Sequence, residues 1–264
     1  MNTWHWQTWQ SLPYLTCTLL EDFPHGFFTQ HFWARPPAEL VQVLDPTAQA
    51  YRVKQVHGNV VLSPSELEEQ PSQDEAFPLS EADGLVTEQE NQAVWACSAD
   101  CTPVLMADLA TGAVAAVHAG WRGTAAEIVP QAIARLIAQG SQLSNLRIAL
   151  GPAIAGEVYQ VSTTVAAQVT ASLFPGTELD SEATLAAAQQ LPQPPILSDP
   201  QPGRVKLDVR RVIAVQLEQL GIQAEQVAIA PYCTYQTPEH FFSYRRDRQK
   251  KVQWSGIVSQ NRQI

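Results

Sequence analysis

Positive charge is scarce in this chain. Its 16 Lys and Arg stand against 26 Asp and Glu in 264 residues, a formal net charge of −10. No basic stretch appears before the extreme C-terminal segment. Nucleic acids and anionic membrane surfaces are recognised through a basic footprint, so neither is an expected partner. A small anionic substrate held by a few local arginines remains compatible with that balance. Long apolar runs are missing as well, since none approaches the roughly 20 residues that span a bilayer. The aromatic stretch "MNTWHWQTWQSLPYLTCTLL" lacks the basic region and small-residue cleavage site of a secretory signal. Four cysteines (Cys17, Cys97, Cys101 and Cys233) are too sparse and irregular for a disulfide framework in a chain of this length. The expectation is a reduced, cytoplasmic protein in which a cysteine near histidines serves as a metal ligand. No protein partner is indicated.

The apolar share, 45%, is ordinary for a globular protein able to bury a core. Short apolar runs read as strands: "YRVKQVHGNVVL", "GLVTE", "AVWACSA", "PVLMAD", "AVAAVHA", "LRIALGP" and "QVAIAP". "TAAEIVPQAIARLIAQG" reads as a helix, with Thr124 and Glu127 spaced as a capping box and Gly140 as its stop. Pro130 sits past its first turn, where it should kink or delay it. "LDVRRVIAVQLEQLG" reads as a second helix, from Asp208 to Gly221, and "STTVAAQVTASLF" as a third. Two proline-broken stretches, "SPSELEEQPSQDEAFPLSEADG" and "QQLPQPPILSDPQPGR", read as surface insertions. Strands and helices mix without regular alternation, which favours α+β over a doubly wound sheet.

Chemistry concentrates at a few corners. In "AVHAGWRGT", a strand delivers His118 to a glycine-rich turn carrying Arg122, ahead of a helix N-terminus that favours an anion. "KQVHGNVV" places His57 at a strand end before a glycine, and "CSADCTPVLMAD" places Cys101 at a Thr-Pro turn. Two histidines and a cysteine are a ligand set found at catalytic zinc, with one position open. The long separations supply no compact spacing rule, and a buried core thiol is the competing reading of Cys101. In "CTYQTPEHFFSYRRD", the aromatics fit either a stacking wall for a flat ring or the buried face of a β-segment. Arg245 and Arg246 fit either an anion clamp or a solvated end.

Taken in order, "QVHG", "ADGLVT", "DCTPVLMAD", "AVHAGWRGT", "GPAI", "YQV", "LDV" and "FFSYRRD" make a chain that resembles the laccase-domain family. That family is also described as multicopper polyphenol oxidases, peptidoglycan editing factors and purine nucleoside phosphorylases. The likeness covers nearly the whole chain, and "HAGWRG" with "DCTP" is its specific part. It implies one domain over residues 1–264, with two mixed β-sheets and flanking helices. It implies Zn2+ on His57, Cys101 and His118, which then serve as the catalytic set, with Cu2+ as an alternative occupant because Cu(II) generally binds such sites more tightly. The implied substrates are phosphate and a purine nucleoside (adenosine, inosine or methylthioadenosine), with adenosine deamination as a further activity. On that reading Arg122, Arg245 and Arg246 hold phosphate, and Tyr244 or Phe242 stacks on the purine.

The chain departs from the family pattern in places. "FTQHFWARPP" has Gln30 and no glycine pair, Gln160 stands where the family commonly has Glu, and the tail lacks the usual Gly-Arg. A substrate-facing arginine and a carboxylate are thereby in doubt. Other readings of the same site are copper-dependent phenol oxidation, editing hydrolysis of a peptidoglycan precursor, and a metal-holding module without turnover. True laccase chemistry needs more imidazoles than six histidines supply.

Overall fold

The computed structural model describes residues 3–67 and 79–261. Its first half runs β1 (Trp4–Trp9), β2 (Leu12–Cys17), β3 (His25–Phe28), α1 (Pro37–Leu44), β4 (Gln49–Tyr51), β5 (Val61–Leu62), β6 (Gly84–Val86), β7 (Gln92–Ser98), β8 (Thr102–Asp108) and β9 (Val114–Ala119). Next come α2 (Trp121–Ala125), α3 (Ile128–Ala138), β10 (Leu146–Leu150), β11 (Gln160–Ser162), α4 (Thr163–Thr170) and α5 (Ser181–Gln189). The chain closes with β12 (Ile196–Ser198), β13 (Arg204–Leu207), α6 (Val209–Gln219), β14 (Val227–Ile229), α7 (Tyr244–Asp247) and β15 (Gln253–Val258).

The fold is α+β. One six-stranded sheet has the order β1-β2-β3-β15-β7-β4 and the other β14-β10-β8-β9-β6-β5. Both are mixed, because the β4–β7, β10–β14 and β5–β6 pairs are parallel among antiparallel neighbours. A third, three-stranded sheet, β11-β13-β12, adds to the two expected from sequence. It draws β12 from the stretch read as a proline-rich insertion, which is therefore part of the fold. Of the acidic insertion, residues 68–78 lie outside the described residues.

Strand alternation builds the layers, since successive side chains point to opposite faces. Every residue of β8 and β9 is buried, as a strand covered on both faces requires. Val104, Met106, Val117 and Ala119 join the core under α3 and α6. Leu105, Ala107, Val114 and Ala116 face the first sheet, against Leu15, Phe27, Val94 and Ile257. The first sheet turns its alternate residues, Phe28, Ala93, Trp95 and Val258, towards Leu40 and Val41 of α1. Each large apolar side chain buried this way contributes roughly 1.5–3 kcal/mol.

The helix expected over 124–140 is two helices. Glu127 takes a left-handed conformation (φ 57°) between α2 and α3, and neither Thr124 nor Glu127 forms the expected capping box. The break resolves the proline conflict, because Pro130 now falls in the first turn of α3, where its missing N–H costs nothing. The other two helices match expectation. Asp208 and Ser162 cap α6 and α4 by accepting from the amides of Arg211 and Val165, and Gly140 and Gly221 take positive φ just past α3 and α6. The C-terminal aromatic stretch is not a β-segment. It runs through turns into α7.

Candidate metal centre

The antiparallel register of β8 and β9 pairs Thr102 with Ala119 and Pro103 with His118. Cys101, one residue before β8, is thereby set beside Gly120, one residue after β9. A Cβ on Gly120 would lie 3.0 Å from Cys101 Sγ and 3.2 Å from His57 Cδ2, so the glycine leaves the space into which both side chains reach. His57 is not at a strand end as expected. It sits in the loop between β4 and β5 with φ 62°. Donor atoms of His57, Cys101 and His118 all lie within 4.8 Å of one another, and the two imidazoles meet edge to face at 4.8 Å. His118 is buried, Cys101 half-buried and His57 exposed, so the cluster is closed at its base and open on one side.

Asp83, one residue before β6, closes the base. Its Oδ1 accepts from His118 Nδ1–H at 2.8 Å and from the His57 amide at 2.9 Å. Its Oδ2 accepts from the amides of Val56 and Gly58 at 3.1 and 2.7 Å. Burial pushes this carboxyl up, but the His118 ring and the loop amides outweigh burial and hold it below its usual range. Burial likewise opposes charge on Cys101 and His118. Their mutual attraction wins, lowering the thiol and raising the imidazole, with Asp83 and His57 adding to the effect. The thiolate is the metal-ligating form of cysteine. Two imidazole nitrogens, one thiolate, a carboxylate behind one ring and an open side fit a bound metal ion.

The arginines divide. Asp100 precedes Cys101 with φ 96°, and its two oxygens accept from Thr234 Oγ1 and the Arg245 amide, each at 2.7 Å. The C-terminal segment is thus fastened to the Cys101 turn. Arg245 donates to the Gln160 carbonyl at 2.8 Å and lies 4.7 Å from the centroid of Tyr159. Arg122, exposed in α2, lies 4.3 Å from its neighbour Trp121, and no hydrogen bond occupies its guanidinium among the described residues. The expected helix N-terminus contributes little there, since α2 is only five residues long. Arg246 is committed elsewhere. Its guanidinium donates to the carbonyls of Thr234, Tyr235 and Phe241 and to Asp247, leaving no donor for an anion. Tyr244 is 47% exposed with Arg248 against its ring, and Phe242 meets Trp33 edge-on.

Tyr159 was missed as a site residue by sequence reasoning. Burial, and then the nearby Cys101 charge, push its hydroxyl up to about 12, while Arg245 and Arg122 pull the other way. It therefore stands within electrostatic reach of the cluster and both arginines. The signal was its place in "YQV", read there only for Gln160. The Gln160 amide donates to Asp199 at 3.1 Å, a contact that a glutamate at this position would turn into repulsion. Gln30 fastens its own segment to the C-terminal one, donating to the Pro238 carbonyl. A separate groove of about 580 Å³ shares no residue with the cluster, and Glu88 and Glu90 make it unsuited to phosphate.

Residues 37–259 match the family described as multi-copper polyphenol oxidoreductase laccase. The chain is 49% identical to a purine nucleoside phosphorylase of Synechocystis sp., over 98% of each chain. It is 38% identical to a purine nucleoside phosphorylase of Mycobacterium bovis, over 74% of this chain and 66% of that one. Among solved structures, YlmD from Geobacillus stearothermophilus shares its fold with a TM-score of 0.77 at 23% identity, over 97% of this chain and 99% of that one. The hypothetical protein YfiH of Bacillus licheniformis does so at 0.74 and 22%, over 94% and 96%. With the match spanning most of its length, this chain belongs to the multi-copper polyphenol oxidoreductase laccase family.

Proposed function

We propose that the chain is a zinc-dependent purine nucleoside phosphorylase acting on adenosine, inosine or methylthioadenosine. Residues 1–264 serve that reaction as one domain, with His57, Cys101 and His118 as zinc ligands. The observation that carries the activity is the near end-to-end 49% identity to the Synechocystis relative of that name. The donor set supports zinc, because one cysteine and two histidines with an open side make a known catalytic arrangement. Among the described residues only one such cluster occurs, which leaves the several copper centres of a laccase without ligands.

Zinc, held by His57, Cys101 and His118, would supply a Lewis acid. The chain's own groups do the rest. Arg245 and Arg122 hold phosphate, Arg245 being oriented by the Gln160 carbonyl and the Asp100–amide bond. A phosphate oxygen attacks C1′ of the ribose, and the glycosidic bond breaks with its electron pair passing to the purine, which takes up a proton. Tyr159 stays protonated at neutral pH and so presents a donor to phosphate or base. Arg246 serves to fasten the segment that carries Arg245.

Product analysis with adenosine, with and without phosphate, tests this reading. Adenine and ribose 1-phosphate should form only with phosphate, and Cys101→Ala should abolish them. Inosine as the sole product, formed with or without phosphate, would replace phosphorolysis by deamination. No product from any of the three nucleosides would overturn the nucleoside reading and favour cell-wall precursor editing or a metal-holding role.

A further inference from the structure

We propose that Asp83 is the positioning residue of the metal centre, a single carboxylate that sets the His57 loop and the His118 ring at once. The inference rests on the reading of His57, Cys101 and His118 as metal ligands and is independent of which substrate the centre acts on.

Three consecutive amides, those of Val56, His57 and Gly58, converge on this carboxylate at 3.1, 2.9 and 2.7 Å. Successive N–H groups point the same way only when the backbone alternates hand, forming a concavity for an anion. That accounts for the left-handed conformation of His57 (φ 62°), which residues other than glycine adopt infrequently. The loop therefore holds its ligand outward because an anion fills it from within. Asp83 is 1% exposed, and among the described residues its one ion-pair partner is His118.

The same carboxylate reaches the second ligand. Oδ1 accepts from His118 Nδ1–H at 2.8 Å, and the Asp83 carbonyl accepts from the His118 amide at 2.7 Å. With Nδ1 engaged, Nε2 is the nitrogen that His118 turns to Cys101 and to an ion. A carboxylate behind a ligating histidine fixes the ring's tautomer and orientation, and its loss typically weakens metal affinity by about 10–100-fold. Here one group does this for one ligand and shapes the backbone of another. The isosteric amide cannot satisfy both demands, because its NH2 faces the Val56 and Gly58 amides in one orientation and the ring N–H with the His57 amide in the other.

The test is Zn2+ affinity, measured by competition with a chromogenic chelator, in the full-length wild type, Asp83→Asn and Cys101→Ala. Asp83→Asn should bind about 10–100-fold more weakly while folded, and its Co2+-loaded form should show a shifted thiolate-to-metal absorption band. A purely structural role would lower Tm and leave affinity and band unchanged, which would overturn the proposal. If Asp83→Asn does not fold, nitrogen-15 NMR of the zinc-loaded wild type decides. His118 carrying its proton on Nδ1 and the metal on Nε2 supports the assignment, and metal on Nδ1 overturns it. Wild type that binds no zinc fails the metal reading itself, a result distinct from equal affinities in wild type and Asp83→Asn.

Discussion

His25 shows how single titratable groups are fixed in this fold. The ring is buried in β3, donates from Nδ1 to the Phe23 carbonyl and accepts at Nε2 from the Cys17 amide, both at 2.8 Å. Protonating Nε2 would set two N–H groups against each other. Burial is the larger cause and lowers the group to about 4. Between the ordinary value near 6.5 and about 4, the unfolded chain binds the proton that the folded chain refuses. Stability therefore rises with pH across that window and is lost as pH falls through it, by about 3 kcal/mol in full. Urea denaturation at pH 7 and 5 should show roughly half of that loss, about 2 kcal/mol, in the wild type and a smaller one in His25→Gln. An equal loss in both would assign the slope to other groups. At the same scale, the three candidate ligands were legible in the sequence because each sits beside a glycine or a Thr-Pro turn at the end of an apolar run. Asp83 was not, since "ADG" is a common tripeptide and its four side-chain hydrogen bonds come from a loop 25–27 residues earlier and from His118 of β9, 35 residues later. Arg246 misled for a related reason: an arginine pair reads as two free cations, and only the folded segment shows one of them bound to three carbonyls.

The elements carrying the ligands are held by close backbone approach. A Cβ on Gly123, in α2, would lie 2.7 Å from the carbonyl of Gly58, the residue after His57. Gly123→Ala must therefore push α2 and the His57 loop apart. The expected cost is about 1–3 kcal/mol by denaturation, as for other overpacked sites, together with weaker zinc binding in the chelator competition. Unchanged zinc affinity would show that the loop position is not set by α2. The α2–α3 break was foreshadowed by the conflict between Pro130 and a continuous helix, yet the capping-box spacing pointed to the wrong start. Three helices (α1, α5 and α7) and the third sheet escaped the sequence reading. α5 is alanine-rich and shows only a weak apolar stripe, although Asp180 caps it. β12 lies among prolines that resemble a loop, and its partner β13 is only four residues long.

At the scale of the whole molecule, α1, two sheets and the α3–α6 side form successive layers, and the cluster lies where β8 and β9 of the second sheet end. The α+β class followed from element order, because apolar runs without a regular helix between them cannot make a doubly wound sheet. The pairing order could not be read, since β15 lies between β3 and β7 and joins the two ends of the chain. Long-range pairing of that kind leaves no local signal. The departures at Gln30 and Gln160 likewise gained meaning only in the assembled molecule, as fastenings of neighbouring segments. On the proposed reading, His57, Cys101 and His118 come from three separate loops and strand ends to close on one zinc ion. Anomalous diffraction at the zinc edge, from crystals of the zinc-loaded full-length protein, tests it most directly. A single strong peak is expected between the His57 ring, Cys101 Sγ and His118 Nε2. A peak confined to other residues, or no peak at that cluster, would contradict it.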